Sequence, residues 1–409
     1  MLHNESAFAI PFANTDSFSL FTTYFRYKEL RPVYQSLNSH PARLTRRRFF
    51  AAFALAALSA PFLTGCPSGT TTDTASPSAT ASTASGGTGA SSADVKKIKA
   101  GLVTDTGGVN DKSFNQMAYE GLQKAEKDFG TDIKFQESKA NADYVSNLSR
   151  FAQNKYDIVF AVGFKMQDAV KEVAPRFPDV KFVIIDGDAP DLPNCASYKF
   201  LEEQGSFLVG ALAGLMTKTN VVGFVGGEQM PLIAKFESGY KAGVKTTNPE
   251  AEVKVGYANA FNDPQKGQEL TISQMNAKAD IIYHAAGETG VGVIKAVEAK
   301  GKGFYAIGVD KDQDAEAKGR VLTSMVKRVD VAVYEAVKGT ATGNFKTGTT
   351  TVGLKEEGVG LSPMEYTKQD VPADAMAKIE ELKKAIIDGT LIPPATPEQL
   401  AEFKPPAGK

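Results

Sequence analysis

The chain has 409 residues, of which 42% are hydrophobic and 23% charged, so it is long enough for two ordinary domains and reads as a soluble globular protein rather than a membrane-embedded or unfolded one. Its formal net charge of −1 leaves no basic surface for nucleic acid. Two cysteines and three histidines supply neither a disulfide framework nor a histidine-based metal site or catalytic triad.

In chain order, the first feature is a leader. Residues 1–65 carry seven of the Lys/Arg residues and only three acids, so the remainder of the chain is mildly acidic. Within "RLTRRRFFAAFALAALSAPFLTGCPSG", Arg46, Arg47 and Arg48 precede an apolar run of signal-peptide length, too short to span a bilayer comfortably. Leu63-Thr64-Gly65-Cys66 matches the bacterial lipobox, in which the cysteine is lipidated and becomes the mature N-terminus, and "TRRRFF" resembles a twin-arginine export signal. Residues 67–93 are almost entirely Ser, Thr, Gly, Ala and Pro, which cannot bury enough apolar surface to fold and read as a flexible tether. Leader, Cys66 and tether together place the folded body at the outer face of a membrane.

From residue 97 onward, short apolar runs alternate with amphipathic segments. One set of strands is expected at 98–104, 133–136, 158–162, 182–186 and 196–199, and a second at 221–225, 253–257, 281–284, 305–309 and 321–325. Helical patterns fall at 113–129, 142–154, 165–176, 230–247, 264–278 and 289–300, and a strongly apolar helix at 203–220 leads toward the second set. Val/Ile-rich strands separated by helices predict an α/β protein with two doubly wound parallel sheets. Ligands of such sheets bind beyond the carboxyl ends of the strands. The residues closing the runs are Asp105, Gly163-Phe164, Asp186, Phe261, Ala286-Gly287, Asp310 and Lys327, and two sheets facing each other with such ends would make a cleft.

The stretches "DKSFNQMAYEGLQKA", "EQGSFLVGALAGLMTKT", "VGFVGG", "FESGYKAGVKTTNP", "AAGETGVG", "IGVDKDQ" and "VLTSMVKRVDVAVY" together resemble the basic membrane protein family, lipoproteins of bacterial ABC importers that include purine nucleoside receptors. The resemblance runs from about 97 to 395. It implies a type I periplasmic-binding-protein fold, with domain 1 at 97–219 plus 328–395, domain 2 at 220–327, a last crossover near Lys327 and a tail at 396–409. It also implies a monomer that binds a purine nucleoside, works with permease and ATPase subunits, and needs no cofactor or metal.

Candidate ligand contacts combine the two lines of reasoning. Asp105 can accept hydrogen bonds from ring N–H or sugar hydroxyl groups, and the resemblance puts an acid at this position in the cleft. Asn110 and Asp111 suit a cap for the helix near Ser113, with Asn110 kept as a possible contact and Asp111 as structural. In a chain without Trp, Phe114 and Phe261 are the candidates for stacking on a flat ring, one from each domain. Asp186 closes one strand and Asp310 another; the resemblance gives the "GVD" aspartate the ribose hydroxyls. Lys327 can donate to sugar oxygens, and Gly163 and Gly287 would let backbone approach the ligand. His284 and Cys195 are read as buried structural residues.

No nucleophile–base pair, G-x-G-x-x-G or G-K-[ST] motif supports an enzyme such as a nucleoside hydrolase or phosphorylase. A repressor-like sensor is disfavoured because the N-terminus carries an export signal. Another flat ligand, such as riboflavin, stays open.

Overall fold

The computed structural model describes residues 95–406. The leader, Cys66, the tether and the last three residues lie outside them. In chain order the strands are β1 (Lys99–Thr104), β2 (Asp132–Glu137), β3 (Ile158–Val162), β4 (Lys181–Ile185), β5 (Cys195–Phe200), β6 (Val221–Gly226), β7 (Glu252–Tyr257), β8 (Ile281–Ala285), β9 (Tyr305–Asp310), β10 (Val321–Lys327), β11 (Gly348–Val352) and β12 (Val359–Leu361). The helices are α1 (Phe114–Phe129), α2 (Tyr144–Gln153), α3 (Gln167–Val173), α4 (Glu202–Met216), α5 (Pro231–Thr247), α6 (Pro264–Asn276), α7 (Thr289–Lys300), α8 (Val329–Ala341), α9 (Ala373–Ile387) and α10 (Pro397–Glu402).

Two six-stranded sheets result, ordered β11-β5-β4-β3-β1-β2 and β12-β10-β9-β8-β6-β7. All pairings are parallel except β10 with β12. Central strands such as β3 (IVFAV) and β8 (IIYHA) are buried at every residue, as parallel strands covered on both faces must be. The outer strands β2 and β7 carry Asp132, Lys134 and Glu252 among their exposed positions, beside exposed Phe135 and Val255, and the charges blunt the open edges. In each sheet the order reverses beside the first strand, between β1 and β3 and between β6 and β8. That reversal opens a crevice at the strands' carboxyl ends.

The division into lobes differs from the expected boundaries. Helix α4 packs along α5, with Gly210 so close to Tyr240 that a Cβ there would collide with the Tyr240 carbonyl oxygen. It belongs to the second lobe, and the chain crosses at Leu201, not near 219. The reason is the lack of polar positions in 205–216: every face of this helix needs cover, and the second sheet with α5 and α9 provides it. The second crossing follows Lys327. A third lies between β11, which pairs with β5, and β12, which pairs with β10. Residues 359–395 therefore lie with the second lobe rather than with domain 1. The stretch 396–403 is not a free tail either: α10 packs on α5, and Phe403 meets Phe207 edge-on at 6.1 Å between ring centres.

Candidate functional site

Facing carboxyl ends of the two sheets enclose about 570 Å³ of space between the lobes, part of it open to solvent. The space is a slot walled by both lobes. Its wall includes Asp105, Phe114, Gly163 and Asp186 from the first lobe, and Phe261, Gly287, Asp310 and Lys327 from the second lobe. Asn110 is not among them: it is exposed on the turn before α1, and its neighbour Asp111 turns inward instead. The wall also holds Asp111, Asn115, Phe164 and Phe236, which sequence reasoning did not assign to the site. Phe164 directly follows a strand-closing glycine, which is a usable signal. Asn115 and Phe236 sit inside helices and gave none.

Asp105 is delivered by β1 and folded back by the turn that follows it. Its Oδ1 accepts from the Gly107 N–H at 2.9 Å and from Asn115 Nδ2 at 2.8 Å, while no protein donor bonds its Oδ2 among the described residues. Asp111 caps α1 from two residues upstream, accepting from the N–H groups of Ser113, Asn115 and Gln116 at 2.9–3.0 Å. Asn115 Nδ2 also donates to Asp111 at 2.9 Å, so both its amide hydrogens are committed and its buried Oδ1 is left without a partner.

Asp186 and Asp310 close β4 and β9 with φ of 64° and 62°, a left-handed conformation uncommon for a side-chain-bearing residue and frequent at binding sites. Asp310 Oδ2 accepts from Ser113 Oγ of the other lobe at 2.6 Å. Asp186 Oδ2 receives the Lys327 ammonium at 2.5 Å, and its buried Oδ1 has no partner. Burial pushes the Asp310 carboxyl up to about 7, against the pull of Lys327 and Ser113. Asp186 is raised by the same cause, against Lys327. Lys327 is held above the usual lysine range: burial opposes its charge, but Asp186, Glu202 and Asp310 outweigh that cost.

Four aromatic rings line the slot. Phe164 and Phe261 approach edge-to-face across it at 6.4 Å between centres, and Lys327 lies 5.2 Å from the Phe114 ring. At the mouth the lobes touch through Lys165–Glu228 at 2.5 Å, Asn262 Nδ2 to the Thr106 carbonyl at 3.3 Å, and a Lys311–Glu120 pair. Gln313 Nε2 donates to the Lys112 carbonyl at 3.0 Å. The lobes are thus in a closed arrangement.

His284, in β8, is fully buried. Gln313 Oε1 accepts from the Val309 N–H and lies 3.0 Å from His284 Nε2, so the ring must donate from Nε2. Burial lowers its pKa to about 4, and the ring is neutral. Cys195 is buried and free, its thiol pushed up to about 11 by burial.

Residues 98–396 match the Bmp family, described as "ABC transporter substrate-binding protein PnrA-like". The chain belongs to this family. It is 42% identical over 324 residues to a Listeria innocua protein named "CD4+ T-cell-stimulating antigen", across 74% of this chain and 89% of that protein. With the Lactococcus lactis "ABC transporter nucleoside-binding protein BmpA" it shares 35% identity, across 73% and 89% of the two chains. A solute-binding protein of an ABC transporter system from Aeropyrum pernix superposes with a TM-score of 0.69 at 30% identity, covering 75% of this chain and 96% of that one. This Bmp protein is therefore an ABC transporter substrate-binding protein with the type I periplasmic-binding-protein fold, binding a small molecule for a permease. Its relatives are solute-binding proteins, and no helix among the described residues is long and apolar enough to cross a membrane.

Proposed function

We propose that this protein binds a purine nucleoside between its two lobes and hands it to an ABC permease, and that lipid on Cys66 holds it at the extracytoplasmic face of the membrane. One observation carries the ligand class. Among the described residues no protein donor bonds one side-chain oxygen each of Asp105, Asn115, Asp186 and Asp310 (Asp310 Oδ2 already accepts from Ser113), and the slot's lining cation, Lys327, is already shared between two carboxylates. Such a wall calls for a flat, uncharged molecule rich in N–H and O–H donors. A phosphate would meet repulsion from several carboxylates in a site of low dielectric.

Ring N–H or amino groups suit Asp105 and Asn115, a vicinal diol suits Asp310 and Asp186, and Phe114 and Phe261 would sandwich the base. Because contacts come from both lobes, ligand favours the closed form by population shift. The name of the Lactococcus relative supports the nucleoside reading. Inosine, guanosine or adenosine should raise the unfolding temperature, the matching monophosphates should not, and riboflavin should be inert. Equal shifts with AMP would defeat the charge argument, and release of free base from inosine would show catalysis instead of binding. Labelled palmitate incorporated into the native chain, and lost on Cys66→Ala, tests the anchor.

A further inference from the structure

Three buried charged side chains and a half-buried fourth form a row on the hinge side of the slot. Lys327 Nζ lies 2.5 Å from Asp186 Oδ2 and 2.9 Å from Glu202 Oε1, and Lys235 Nζ lies 2.7 Å from Glu202 Oε2. Lys235 also donates to the Phe200 carbonyl at 2.6 Å. The Lys327 and Glu202 side chains are each 1% exposed. Of the four, Asp186 and Lys327 line the slot; Glu202 and Lys235 line a second hollow that Asp186 also borders. Glu202 opens α4 just after the first crossing and Lys327 ends β10 just before the second. The ion pair between them therefore joins two hinge segments, where rotation of the lobes moves atoms least.

A lysine ammonium is a point charge on a flexible stem, and its direction must be imposed. Here the rings of Phe114, Phe200 and Phe236 surround it at 4.9–5.6 Å, its hydrogen bond goes to Asp186, and Glu202 sets a second carboxylate oxygen 2.9 Å away as an ion pair without hydrogen-bond alignment. Shared in this way, the ammonium covers one oxygen of Asp186 and leaves the other without a partner. We propose that Glu202, anchored from behind by Lys235, is a positioning residue: it holds Lys327 so that Asp186 Oδ1 and the remaining Lys327 N–H are presented to the ligand's hydroxyl groups. Burial would raise the Glu202 carboxyl, but Lys327 and Lys235 keep it below its usual range and charged. Without that charge, the ammonium settles onto both oxygens of Asp186 and the ligand loses them.

The inference rests on the nucleoside reading, and its test separates the two. The full chain in detergent, native and as Glu202→Gln, Glu202→Asp and Lys235→Met, is titrated calorimetrically with inosine and 2′-deoxyinosine between about pH 5 and pH 8. Glu202→Gln should weaken inosine about 10- to 100-fold, the scale expected when the partner orienting a contact residue is lost. It should also shrink the preference for inosine over 2′-deoxyinosine. The charged groups around Lys327 are Asp186, Glu202, Glu203, Lys235 and Asp310. Removing one negative member lets Asp186 ionise at lower pH, so the acid limb of the binding profile should move down. Glu202→Asp should restore part of the affinity, and Lys235→Met should weaken affinity less than Glu202→Gln while moving the acid limb up, since a cation that favours ionised Asp186 is lost. A folded Glu202→Gln protein with native affinity and profile overturns the proposal. If that variant does not fold, native values for Lys235→Met overturn it and weakened ones support it. Should the native chain bind no nucleoside, the functional reading fails by itself. The positioning role is then decided by the crystal structure of Glu202→Gln: a Lys327 ammonium moved onto both oxygens of Asp186 supports it, and an unmoved one overturns it.

Discussion

Ion pairs stand at both ends of the slot, and the two ends are built differently. At the hinge, Lys327, Asp186 and Glu202 are at most 4% exposed. At the mouth, Lys165 and Glu228 are 20% and 32% exposed, and Lys311 and Glu120 are 29% and 36% exposed. A buried charge left single costs several kcal/mol, so the hinge group must stay assembled. A half-exposed pair can separate into water for about 0–1 kcal/mol, so the mouth can open. The hinge end therefore fixes the chemistry of the site, while the mouth end adds only a light bias toward closure.

The largest effect should come from breaking the hinge group. Lys327→Met leaves Asp186 buried without its cation, and Glu202 with Lys235 alone, and should cost about 3–5 kcal/mol in urea unfolding. The orphaned Asp186 carboxyl would then titrate further above its unfolded value and hold its proton in the folded state. The loss should be smallest near about pH 4 and grow as pH rises through the raised pKa value. A native unfolding midpoint would mean that these charges do not depend on one another.

Asp310→Asn should come next, and it divides binding from stability. A hydrogen bond to a charged acceptor contributes about 1.5–3 kcal/mol, so ribonucleoside affinity should fall about 10- to 100-fold. Stability of the empty protein should hold or rise near pH 8, because a buried carboxyl that resists ionisation has been removed. Unchanged affinity would take Asp310 out of the site.

A pH dependence of the native protein follows from the same group. Burial raises Asp310 to about 7, so below that pH it is largely protonated. A ligand that donates hydroxyls to it favours the ionised form, and binding must expel the proton. Affinity should climb between about pH 5 and pH 7, by at most about tenfold per unit, and level off above. The empty protein should behave oppositely: the raised carboxyl contributes stability at low pH that fades as pH rises from its unfolded value near 4 through 7. Calorimetry in buffers of different ionisation enthalpy would detect the released proton, and its absence near pH 6 would place the ligand's donors elsewhere.

How much of this was legible in the sequence follows from where each residue sits along the chain. Ten strands could be read because parallel strands covered on both faces become short apolar runs, as in Ile158–Val162 and Ile281–Ala285. Strand β11 (GTTTV) is an edge strand, half exposed and polar, and β12 has three residues, so neither leaves such a run. Asp105, Asp186, Asp310 and Lys327 could be named because doubly wound sheets bring strand ends to the crevice. Glu202 and Lys235 could not, since their place depends on how the crossings meet, which no local pattern encodes. The misplaced boundary has the same origin. An apolar helix states that it must be covered, not by which lobe.

The smallest expected effect lies at the mouth, and it sharpens the contrast most. Glu120 and Lys311 pair across the lobes, and neither lines the slot. Glu120→Gln should therefore leave the chemistry of the site intact and weaken closure alone, lowering affinity by less than about fivefold, in line with a pair worth about 0–1 kcal/mol. Because half-exposed charges are screened within a Debye length of about 10 Å at 0.1 M salt, the native protein should lose the same increment when salt is raised, and the variant should not. The change should appear as faster ligand release in stopped-flow displacement, since opening precedes escape, with association nearly unaffected. Raising salt should leave the pH profile in place, because the Asp186–Lys327–Glu202 group is shielded from it. If Glu120→Gln instead shifted that profile, mouth and hinge would be electrostatically coupled, and closure could no longer be treated as a bias added to a site already formed.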